Sequence, residues 1–121
     1  MAWGFHSILN VAKACPRAIR CPSTITSFSN TLVKRIDMKP YGLPMVFKFG
    51  EGERMGYTLI QPIETSCITA HFSEEHNDFY LDVFSCKPYN QKTVEETVSE
   101  FFKPLSFTHT FLLRQAPQEL R

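Results

Sequence analysis

The sequence predicts an α+β fold: a two-layer sandwich in which an antiparallel sheet carries two helices on one face. Three observations predict it. Five stretches rich in β-branched and aromatic residues are separated by turn residues. Two others, after Ser23 and after Thr93, repeat apolar residues at helical spacing instead. No internal repeat or low-complexity segment interrupts the order β-α-β-β-β-α-β. Helices on one face leave the other face of the sheet to be covered. The sheet of a second copy is one solution, so dimerisation is expected.

Composition narrows the class. The chain has 121 residues, 43% hydrophobic and 21% charged, with a net charge of +1, values of one globular domain spanning residues 1–121. Nucleic acid is not an indicated partner. No apolar run approaches the roughly 20 residues that span a bilayer. Met1–His6 lacks a basic region leading into a long apolar stretch, so no signal peptide is read. Cys15, Cys21, Cys67 and Cys86 form no C-x-x-C pair, which favours free thiols over disulfides or zinc. A soluble cytoplasmic protein is expected.

Taken in order, Phe5–Val11 forms the first strand. Cys15-Pro16 and Cys21-Pro22 punctuate a loop, because the residue before a proline is pushed out of the α region. From an N-cap at Ser23, the residues Ile25, Phe28, Leu32, Val33 and Ile36 recur at helical spacing to about Met38, with Lys34 and Arg35 at the negative end. Lys39–Pro44 is a turn, Met45–Phe49 a short strand and Gly50–Arg54 a polar tip. The runs Tyr57–Phe72 and Phe79–Cys86 flank a six-residue polar break and pair as a hairpin. Thr93-Val94-Glu95-Glu96 is a capping box. It opens a helix with apolar face Val94, Val98, Phe101, Phe102 and Leu105, stopped by Pro104. Ser106–Leu113 is the last strand, and the tail after Arg114 is expected to fray.

The hairpin carries the chemistry. Pairing Phe72 with Tyr80 sets Ser66 opposite Cys86, a hydroxyl and a thiol roughly 4.5 to 5.5 Å apart at Cβ. His71, five residues beyond Ser66 on the same run, points to the other face, about 16 Å away. Thr58, eight residues before Ser66, is on the matching face but about 26 Å away. If the four act together, a two-fold axis must bring His71 and Thr58 of one protomer to Ser66 and Cys86 of its partner.

The string Ser66-Cys67-Ile68-Thr69-Ala70-His71, followed by Asp82-Val83-Phe84-Ser85-Cys86, resembles the core of the short, prokaryotic-type S-adenosylmethionine decarboxylases. Their pattern is Glu-Ser-His-hydrophobic-Ser/Thr-hydrophobic-His, then Asp-Val-Phe-Thr-Cys. The resemblance implies a covalent pyruvoyl group derived from Ser66, made by self-cleavage between Thr65 and Ser66 into chains 1–65 and 66–121. It implies that His71 and Thr58 assist cleavage and that Cys86 donates a proton in turnover. Glu75 would hold the ribose of S-adenosylmethionine, Phe49 or Phe47 would stack on its adenine, and Ile68 would line the substrate site. It further implies a homodimer of cleaved protomers and a product that serves as aminopropyl donor for spermidine synthesis.

Thr65, Cys67 and Ser73-Glu74 stand where the family has glutamate, histidine and Trp-Pro. Those changes keep two other readings open. One is a decarboxylase retuned for ornithine or arginine; the other is an uncleaved homologue that regulates an active enzyme.

Overall fold

The computed structural model describes residues 2–118. Six strands form one antiparallel sheet in the order β2-β3-β4-β5-β1-β6. They are β1 (Gly4–Ala12), β2 (Met45–Phe49), β3 (Gly56–Ile63), β4 (Ser66–Ser73), β5 (Asp78–Ser85) and β6 (Ser106–Arg114). Three α-helices, α1 (Pro16–Ile19), α2 (Pro22–Arg35) and α3 (Gln91–Phe102), join them, with a 3-10 turn at Gly52–Arg54. The residues described after Arg114 form no helix or strand, and 119–121 lie outside the described residues.

One face of the sheet and the two longer helices enclose the core. Leu59, Ile68, Ala70, Phe72, Phe79, Leu81 and Val83 alternate along β3, β4 and β5, as one buried face requires, and meet Ile25, Phe28 and Leu32 of α2 and Val94, Val98 and Phe102 of α3. Phe102 is the hub, its ring 4.9 Å from Phe28, 4.8 Å from Phe79 and 5.4 Å from Phe72. The open face presents His71, Tyr80, Asp82 and Phe84, none of them buried.

Two expectations are corrected here, both with consequences for the site. The run Tyr57–Phe72 is two strands, because the chain reverses at Glu64–Thr65 and pairs Ile63 with Ser66. Neither turn residue has positive φ, so this is not the mirror-image turn that two-residue hairpins favour. Outside contacts hold it instead, beginning with Glu64 N–H donating to the Lys39 carbonyl at 2.9 Å. The second correction is register. Phe72 faces Phe79, not Tyr80, across a four-residue loop whose last residue, Asn77, is left-handed at φ 60°. Burying both rings under Phe102 decides this, since a one-residue slip would turn Phe79 out and Tyr80 in.

The helix ends also shift. Proline at the first position starts α2 at Pro22, with Cys21 rather than Ser23 at the N-cap. It stops in a Schellman motif, where Met38 N–H reaches the Val33 carbonyl at 2.9 Å and Asp37 N–H the Lys34 carbonyl at 3.1 Å. Asp37 takes the left-handed position at φ 58°, and the reversal delivers Met38 back against the sheet. The cap of α3 is Asn90, whose Oδ1 accepts from Lys92 N–H at 2.9 Å, not the Thr93 box, and Leu105 lies beyond the helix and is exposed. The short α1 replaces part of the expected loop.

Candidate active site

The first cluster of candidate residues sits at the β3–β4 turn. Corrected register places Ser66 opposite Ser85 rather than Cys86. Cys86, exposed and one residue past β5, meets the turn through its backbone: its N–H donates to the Thr65 carbonyl at 3.1 Å. The Thr65 side chain is gripped as well. Ser85 Oγ donates to Thr65 Oγ1 at 2.7 Å, and Thr65 Oγ1 donates to Met38 Sδ at 3.4 Å. A cavity of about 460 Å3 opens beside the turn, lined by Asp37, Met38, Lys39, Glu64, Thr65 and Lys87.

The second cluster is at the other end of β4. Because the chain doubles back at Glu64–Thr65, Thr58 lies directly across from His71, and Thr58 Oγ1 is 3.3 Å from His71 Nδ1. Thr58 is therefore not a distant residue on the Ser66 face; it is the hydrogen-bonding neighbour of the imidazole. Both border a cavity of about 320 Å3 that also touches Phe49, Glu53 and Tyr80. Of the two candidate phenylalanines, Phe49 borders it; Phe47 does not.

Glu75 lies on the adjoining β4–β5 turn, its Oε2 3.5 Å from His76 Nε2, which is 3.8 Å from Glu53 Oε2. These three exposed groups have their ligating atoms within 4.8 Å of one another and are the grouping among the described residues that could hold a metal ion. Ile68 is placed differently from the expectation. It is fully buried between sheet and helices and borders neither cavity, so a substrate contact does not fit its position.

His71 and Ser66 remain separated within one chain, five residues apart on one strand or about 16 Å. Thus the candidate residues form two clusters, Thr58 with His71 and Thr65 with Ser66 and Cys86. A family model described as S-adenosylmethionine decarboxylase matches residues 5–115, the stretch that contains both clusters.

The chain belongs to the S-adenosylmethionine decarboxylase family. Membership makes it a carboxy-lyase, with S-adenosylmethionine as the substrate the family acts on. The crystal structure of the adenosylmethionine decarboxylase from Aquifex aeolicus VF5 has the same fold, with a TM-score of 0.81 over 98% of this chain and 95% of that one, at 18% identity. No curated protein matches the chain. Ser85, within the family motif, and Met38, outside it, are functional candidates that sequence reasoning passed over. Ser85 stood in the quoted motif beside Cys86; nothing local in the sequence marks Met38.

Proposed function

We propose that the chain is a proenzyme that cleaves itself between Thr65 and Ser66 and then decarboxylates S-adenosylmethionine with a pyruvoyl group at residue 66. The observation that carries this reading is the Cys86 N–H, 3.1 Å from the carbonyl oxygen of the bond to be broken. Attack of Ser66 Oγ on the Thr65 carbonyl carbon puts negative charge on that oxygen. A fixed backbone donor stabilises it as it forms. Collapse breaks the C–N bond, returns the proton to nitrogen and leaves an ester. Removal of the Ser66 Cα proton expels the Thr65 carboxylate from Cβ. Hydrolysis of the resulting enamine, with loss of ammonia, gives chains 1–65 and 66–121, the second blocked by the ketone.

An imidazole within reach of the Cα proton suits its removal. His71 is that base, with Thr58 fixing its ring through Nδ1. Since one chain keeps His71 about 16 Å from Ser66, the base comes from a partner protomer in a homodimer. The residues fit the pyruvoyl group: Ser66 opens β4 at the rim of the sheet and is partly exposed, so a ketone there meets substrate. When present, the group supplies an electron sink for the loss of CO2. The thiol of Cys86 carries the proton that replaces the carboxylate. Phe49 borders the cavity that takes adenine, and Glu75 accepts from the ribose hydroxyls. The product is an aminopropyl donor for spermidine synthesis, made in the cytoplasm.

Denaturing mass spectrometry of the purified protein tests cleavage. Two fragments with a blocked second N-terminus are expected, and a single full-length mass for Ser66→Ala. A single full-length mass for the wild type overturns the reading. Release of labelled CO2 from S-adenosylmethionine is expected, with Cys86→Ala lowering turnover by about 10² to 10⁴-fold. Release from ornithine or arginine alone would assign a retuned substrate.

A further inference from the structure

We infer that Ser85 is a positioning residue for self-cleavage: its hydroxyl holds Thr65 so that the Thr65 carbonyl stays on the Cys86 N–H. The inference rests on the proposed cleavage at Thr65–Ser66 and adds to it a residue with no role so far.

The hydrogen bonds run as a chain from Lys87 through Ser85 and Thr65 to Met38. Lys87 N–H donates to Ser85 Oγ at 2.9 Å, so that oxygen is already an acceptor. Its single proton goes to Thr65 Oγ1 at 2.7 Å in preference to Met38 Sδ at 3.5 Å. The Thr65 proton then goes to Met38 Sδ at 3.4 Å. Ser85 is fully buried, so no water competes for its proton.

Residues 85 and 86 therefore hold the two ends of Thr65, one by its side chain and the next by its carbonyl. The turn needs this. It has neither glycine nor a left-handed residue to fix its shape, and rotation of Thr65 would carry the carbonyl oxygen off its donor. Attack of Ser66 Oγ forms one C–O bond and breaks one C–N bond at a carbon that must become tetrahedral while its oxygen keeps that donor. A grip on the preceding side chain keeps the geometry through the change. It also accounts for a hydroxyl residue at position 65, where the family pattern has glutamate: the threonine oxygen is the handle.

The test is a cleavage time course by intact mass after expression and purification in the cold. Ser85→Ala and Thr65→Val are each expected to slow cleavage about ten-fold or more, the scale of one buried hydrogen bond lost. Ser85→Thr and Thr65→Ser keep the hydroxyls and should stay within about three-fold of wild type, while the double variant Ser85→Ala/Thr65→Val should be no slower than either single one. A second readout isolates the step. In a His71→Ala background, where elimination is slow, the ester accumulates and is cut by hydroxylamine; adding Ser85→Ala should deplete that hydroxylamine-sensitive fraction. A circular dichroism melt confirms folding of each variant, and Thr65→Val carries the test if Ser85→Ala is unfolded. Cleavage of folded Ser85→Ala at the wild-type rate, a Ser85→Thr as slow as Ser85→Ala, or an undiminished ester fraction overturns the inference while leaving self-cleavage intact. An uncleaved wild type overturns both.

Discussion

Cys21 illustrates how position alone changes a residue's chemistry. It occupies the N-cap of α2 with its Sγ 3.1 Å from Ser23 Oγ. The Ser23 hydroxyl, then the Thr24 side chain and backbone, bring its pKa down from 9.0 to about 7. A lowered thiol pKa means the anion gains fraction as pH rises through about 7, and the thiolate is the form that alkylates. Alkylation of Cys21 by iodoacetamide, followed by peptide mass mapping, should rise with a midpoint near 7, and Ser23→Ala should move that midpoint upward. Alkylation independent of pH over roughly one unit on each side of the midpoint would refute the assignment. Cys86 makes the complementary point. Its thiol is the group the family motif singles out, yet its backbone N–H is what touches the Thr65 carbonyl, at the bond proposed to be cleaved.

At the scale of elements, the two turns at the ends of β4 set the site. The β3–β4 turn carries Thr65 and Ser66; the β4–β5 turn carries Glu75 and closes beside Gly56, which opens β3. A side chain at Gly56 would run into the Phe72 carbonyl oxygen, so the close approach of β3 to the end of β4 depends on this glycine. Gly56→Ala should lower stability by about 1 to 3 kcal/mol in urea unfolding, the cost of forcing a group into a filled space. Because Gly56 also borders the cavity with Phe49 and His71, the same change should raise KM for S-adenosylmethionine more than it lowers kcat. A variant with wild-type stability would show that the strand ends have room to part.

At the scale of the whole molecule, one face of the sheet is left open. Phe47, Tyr80 and Leu112 are 50%, 47% and 44% exposed, all on strands whose other face packs on the helices. Two-fold pairing would cover such a face and bring His71 of one protomer to Ser66 of the other, as the proposed cleavage requires. Co-expression of Ser66→Ala with His71→Ala tests this directly. In a heterodimer one site has both residues intact, so the His71→Ala chain should be cleaved there while neither variant alone is cleaved at a comparable rate. Absence of any rescue, with heterodimers demonstrated by native mass spectrometry, would place the base within the chain.

By itself the sequence determined the α+β class, the helical faces of Ile25, Phe28 and Leu32 and of Val94 and Val98, and the family motif through Ser66, His71 and Cys86, because local periodicity and spacing encode these. It also determined that His71 cannot reach Ser66 along one strand, since the rise per residue is a local constant. The tertiary structure alone decided where the strands end and what faces what. Glu64–Thr65 reads as strand because it has no turn residue; it turns because Lys39, Ser85 and Met38, distant in sequence, satisfy its polar groups. The β4–β5 register followed the burial of Phe72 and Phe79 under Phe102, a ring from a helix the hairpin sequence does not contain. Thr58 came to His71, and Ser85 to Thr65, through those two choices. Alternation fixes which residues share a face of a strand, but only long-range packing selects the partner strand and its register.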